Sequence, residues 1–137
     1  MQLWKTMYLV IWLGLLEFLI VMYPVFDDKN TILILHLLLG LVLFFLAVYN
    51  YRGVTKANVP RRIRGITGAY MGFVLALGII GILRHFEILV DVTKFLHIVA
   101  SIATITQMAS AATAYDMWED REFENPPPPA KMSGEGV

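Results

Sequence analysis

"TILILHLLLGLVLFFLAVYN", residues 31–50, is an apolar run in which His36 is the only side chain able to carry a positive charge. Twenty helical residues rise about 30 Å, the thickness of a bilayer's hydrocarbon core. The run therefore predicts a transmembrane helix with an imidazole inside it. The arrangement recurs at residues 95–114, "FLHIVASIATITQMASAATA", which carries His97. Residues 7–26 and 63–83 are equally apolar, giving four spans with 31–51 and 95–115. The expected fold is an all-α membrane protein, an antiparallel up-down-up-down four-helix transmembrane bundle over residues 1–116. A cytoplasmic acidic and proline-rich tail, residues 117–137, follows it, with four prolines at 126–129 as an extended arm.

Composition agrees. Hydrophobic residues make up 58% of the 137 and mean hydropathy is +0.65, above the globular range. A soluble four-helix core needs polar faces, which the first three runs lack. The first run is longer than a signal-peptide core and no A-x-A site follows it, so it reads as a retained helix. Basic and acidic residues balance at 11 each, so no basic footprint points to nucleic acid. The balance hides an asymmetry. Arg52, Lys56, Arg61, Arg62 and Arg64 crowd one loop, against Lys29, Arg84 and Lys94 in the other two. The positive-inside rule then places that loop and both termini in the cytoplasm, with the protein in the cell membrane. Absence of cysteine excludes disulfides, iron–sulfur clusters and thiolate ligands.

Helical spacing orients the side chains. His36, Gly40, Leu43, Ala47 and Asn50 share one stripe, as do His97, Ser101, Thr104, Met108, Ala111 and Tyr115. Val10, Gly14, Glu17 and Val21 form a third. Stripes of small and polar residues are what membrane helices turn toward one another, so both histidines should face the interior. Both spans begin at the same side and set their histidine a few residues below it, so the imidazoles should be nearly level on the second and fourth helices. In a simple antiparallel bundle these are diagonal neighbours. Facing imidazoles at one depth are what a six-coordinate haem iron requires. Gly40 and Ser101, one turn from each histidine, would leave room for a ring edge. Gly78 and Gly81 of the third span would clear space at the same depth. Arg84, His85 and Lys94 lie at the rim, where haem propionates want cations. Without a Cys-x-x-Cys-His motif the haem would be b-type and non-covalent. The competing reading of each histidine alone is a hydrogen-bonding residue. Zinc or copper would want a third ligand, and no carboxylate is obviously level with the pair.

The repeated "LHLLLG" and "LHIVAS" resemble a duplicated helical hairpin. The pattern resembles the small four-helix membrane cytochromes b and the four-helix halves of haem A synthase-type proteins. That resemblance covers residues 1–116 in architecture and implies His36 and His97 as axial ligands of one haem b. Relatives that move electrons across the membrane carry a second histidine pair near the inner face, which this chain lacks; lateral or surface transfer is expected instead.

Glu17 is a costly charge in mid-span. It is expected to be a neutral hydrogen-bonding carboxyl or, with Gln107 and Thr104 as partners, a proton or quinone site. Asn50, Tyr51 and Arg52 read as interfacial anchors. The expected function is electron transfer by a small haem-binding subunit of a respiratory redox complex, with quinone a candidate exchange partner, rather than an enzyme by itself. Its partners would be the bilayer and other membrane subunits. The alternatives are a cofactor-free structural or assembly subunit and, more weakly, a proton-coupled carrier.

Overall fold

The computed structural model describes residues 2–23 and 28–124, the last two by backbone alone. Four helices follow one another: α1 (Leu3–Met22), α2 (Lys29–Lys56), α3 (Arg61–His85) and α4 (Val90–Glu124). Each is long and apolar enough to cross a membrane. α1 packs on α2 and α4, and α3 packs on α2 and α4, while the pairs α1–α3 and α2–α4 stand diagonally apart. The result is a square all-α bundle. Its outward faces carry Trp12, Leu37, Phe45, Leu75 and Ile102, all more than half exposed. Such a surface suits hydrocarbon and not water.

Local chemistry sets the helix ends. Asp28 caps α2: its carboxylate accepts the Asn30 N–H at 3.0 Å and the Thr31 N–H at 3.1 Å, and the Thr31 hydroxyl at 2.7 Å. The α2–α3 loop turns through Asn58 at φ 53°, a left-handed conformation that Asn tolerates better than most residues. Pro60 then opens α3, its carbonyl accepting the Ile63 and Arg64 N–H groups. The expected division after residue 116 falls inside α4, which continues through the acidic run to Glu124. Trp118 on that extension packs against the core. The expected proline arm, and Pro24 at the end of the first span, lie outside the described residues.

Burial is unevenly distributed along the bundle. One cluster joins Met7, Val54, Val59, Ile63, Ala112 and Tyr115 near the α2–α3 loop. A second joins Val10, Leu43, Ala47, Tyr70, Met108 and Ala111 at mid-height. Beyond Gly14, Leu43, Tyr70 and Thr104, toward the other end, the described residues include one buried side chain, Thr93. Ala47 and Ala111 are fully buried, so the backbones approach closely at mid-height. Gly53 shows the same toward the loop: a Cβ there would stand 2.5 Å from the Leu3 side chain. The end that carries the histidines is packed less tightly.

A polar knot lies within the tight half. Thr6, Asn50 and Thr67 are wholly buried, and Tyr70 is nearly so. Asn50 is thus a core residue and not the interfacial anchor expected. The Thr6 hydroxyl lies against both the Leu3 carbonyl, at 2.7 Å, and Asn50 Oδ1. One proton cannot serve both acceptors, and Asn50 Nδ2 and the Tyr70 hydroxyl are left without partners. Turning the amide over lets Nδ2 donate to the Thr6 hydroxyl, whose own proton then serves the Leu3 carbonyl, and it turns Oδ1 toward Tyr70, which lies beside the same amide.

Two predictions follow from this packing. Asn50→Leu strands the Tyr70 hydroxyl and should cost about 1–3 kcal/mol in unfolding of the detergent-solubilised protein, with Tyr70→Phe recovering part of that loss in the double variant. The Thr31 hydroxyl and the Asn30 N–H hold the Asp28 carboxyl below its usual range. A depressed carboxyl stabilises the fold above its unfolded pKa, and the contribution fades as pH falls through the folded value. Acid should therefore fray the start of α2, seen as a fall in amide protection at Asn30 and Thr31 relative to the intrinsic exchange rate at each pH, and Asp28→Asn should remove that pH dependence.

Candidate functional site

α2 and α4 both start at the less tightly packed end, and His36 and His97 each lie seven residues inside their helix. Equal depth on diagonal corners brings the rings together across the bundle axis. Their centroids are 5.8 Å apart and their planes cross at 68°. The two rings thus meet edge-on across the bundle axis. Nδ1 of each ring is buried without a hydrogen-bond partner. The pair retains donor or ligand capacity that the polypeptide does not use.

Glu17 completes the group from α1. Its Oε1 lies 3.1 Å from His36 Nδ1, close enough for an ion pair but off the line of a ring N–H bond. The two side chains are 27% and 17% exposed, for His36 and Glu17 respectively. This differs from the sequence expectation twice. A carboxylate does lie level with the imidazoles, and the partner of Glu17 is His36 rather than Gln107 or Thr104. Thr104 instead donates to the Ala100 carbonyl at 2.6 Å, and half-buried Gln107 makes no hydrogen bond to Glu17.

The small residues have roles that spacing did not assign. A Cβ at Gly40 would meet Glu17 Oε1 at 3.2 Å, so this glycine makes room for the carboxylate. Gly81 faces His97, where a Cβ would lie 3.7 Å from Cε1, an ordinary contact. Gly78 is exposed, with nothing within 4 Å of its Cβ position. The Ser101 hydroxyl donates to the His97 carbonyl at 2.7 Å, which ties it to its own helix and away from the ring. Arg84 is exposed at the rim but within electrostatic reach of His97. Lys94 is exposed on the same rim, and His85 stacks edge-on against Phe86 at 5.5 Å.

Chemically, the site is two imidazoles and one carboxylate, partly shielded from solvent, at the open half of an apolar bundle. Among the described residues no three His, Asp or Glu side chains converge as a site for a bare metal ion. Two nitrogens that bind one metal from opposite sides at ~2 Å place their ring centres roughly 6 Å apart. The observed 5.8 Å is compatible with that arrangement. Residue spacing carries no direct sign of the Thr6–Asn50–Tyr70 knot, although Asn50 on the inward stripe is a usable hint. No family model, curated protein or solved structure matches the chain.

Proposed function

We propose that the chain is a membrane electron-transfer protein that holds one haem b between His36 and His97, as a small subunit of a redox complex. The observation that carries the reading is the opposition of the two rings, 5.8 Å apart, in the half of the bundle where close packing stops. A second feature supports it. Metal-ligating histidines commonly give their other ring nitrogen to a carboxylate, which fixes the tautomer and raises ligand basicity. Glu17 Oε1 lies 3.1 Å from His36 Nδ1, where a small turn of the ring would bring the N–H onto the carboxylate, and Gly40 provides the room it needs.

Bound haem supplies one-electron chemistry. The polypeptide's part is to bind, orient and shield. α2 and α4 present the imidazoles from opposite corners. Gly81 on α3 keeps the flank beside His97 free of a side chain. Arg84 and Lys94 set cations at the rim, suited to porphyrin carboxylates. In this reading the basic loop and both termini are cytoplasmic, so the site lies toward the outer surface. One site at one depth suits exchange with a neighbouring subunit or with quinone rather than passage across the membrane.

The purified protein supplied with haem should show a reduced-minus-oxidised b-type spectrum, lost in His36→Ala and in His97→Ala while circular dichroism still reports a helical bundle. A colourless wild-type preparation under those conditions would favour the cofactor-free structural subunit. Glu17→Gln weakens the charge facing His36. The midpoint potential should then rise by about 60 mV, the one-electron equivalent of a tenfold change in relative affinity for the two iron states. An unchanged potential would leave Glu17 no part in tuning the site.

A further inference from the structure

A groove of about 650 Å³ runs along the α3–α4 seam at the basic end of the bundle, away from the histidines. Its walls include Ile66, Ala109 and Ala114, and its mouth carries Arg62, Arg121 and Trp118. The polar residues along it are internally satisfied: Thr106 donates to the Ile102 carbonyl and Ser110 to the Thr106 carbonyl, both at 2.9 Å. The walls therefore offer an apolar chain no unmet hydrogen bond. Trp118 sits where indole rings favour the boundary between hydrocarbon and headgroups.

The mouth is electrostatically unbalanced. α3 begins with Arg61, Arg62 and Arg64 and has no acidic residue in its first turn, so these cations stand at the positive end of the helix dipole. Among the described residues neither Arg62 nor Arg121 forms a salt bridge. The arrangement is repeated on the other flank of α3, where Arg61 and Arg64 line a smaller groove of about 400 Å³ with Tyr51. Arginines without an ion-pair partner among the described residues suit an anion from outside.

We infer that the α3–α4 groove binds an anionic phospholipid, its phosphate held between Arg62 and Arg121 and an acyl chain lying along Ile66, Ala109 and Ala114. Charge complementarity selects this occupant. Two guanidiniums suit a phosphodiester whose headgroup bears no compensating cation, whereas a zwitterionic lipid brings its own positive charge. The inference rests on no part of the haem reading.

The test is native mass spectrometry of the full-length, delipidated chain in detergent, titrated with phosphatidylglycerol or with phosphatidylcholine of the same acyl chains. Phosphatidylglycerol should be retained about thirtyfold more tightly, the affinity ratio expected from two interfacial cations. Arg62→Gln/Arg121→Gln should bring it down to the phosphatidylcholine level. Ser110→Phe, at an exposed position on the groove wall, should lower retention of both lipids with the arginines intact, and it serves if the double variant fails to fold. Equal retention of the two lipids, or a preference that survives the double replacement, overturns the assignment. So does a dimer that Ser110→Phe disrupts while lipid occupancy stays unchanged, because the groove would then seat a second copy.

Discussion

The bundle is held by close approach of its four helices at one end, and its other features depend on where that approach stops. In hydrocarbon there is little hydrophobic drive between helices, so association rests on packing and on interhelical polar contacts. Ala47, Ala111 and Gly53 let the backbones come near, and Val10, Val54 and Met108 fill what remains. The buried Thr6–Asn50–Tyr70 knot adds direction to that packing, because an amide must find its partners at one rotation of α2. With the loop end fixed in this way, the opposite end can remain less tightly filled without loss of the fold.

This polarity separates stability from chemistry. The side chains that could act on a ligand, His36, His97 and Glu17, lie in the half that contributes little buried surface. They are nonetheless well placed, because each is carried by a helix anchored further down. Two rings seven residues inside parallel helices stay level as long as those helices keep their register. A partly shielded imidazole pair with a neighbouring carboxylate sits there, outside the closely packed core. The same three groups within the tight half would have demanded full internal pairing.

The basic end faces a different environment. Its arginines flank both grooves beside α3, and aromatic residues stand with them. The two grooves beside α3 lie on the outer seams, and the paired histidines lie between the diagonal helices α2 and α4. One end of the bundle carries the arginine-flanked grooves, and the other presents titratable groups toward its axis.

Much of this was legible from residue spacing. The 3.6-residue period fixes which side chains share a helix face, and the stripes through His36 and His97 do run into the buried core at Leu43, Ala47, Thr104, Met108 and Ala111. Span lengths determined the helix number, and a common starting side made the two histidines level. The period says nothing of axial register between antiparallel neighbours. The partner of Glu17 depends on how far α1 slides past α2, where Leu3 packs closely over Gly53. For the same reason the sequence assigned Gly40 to a cofactor edge, while the fold gives it to the Glu17 carboxylate. Asn50 was expected at the interface because it ends an apolar run; α2 continues to Lys56, and the residue lies inside the core. Face is a property of one helix and can be read along a single chain, whereas level is a relation between helices and exists only once they are packed.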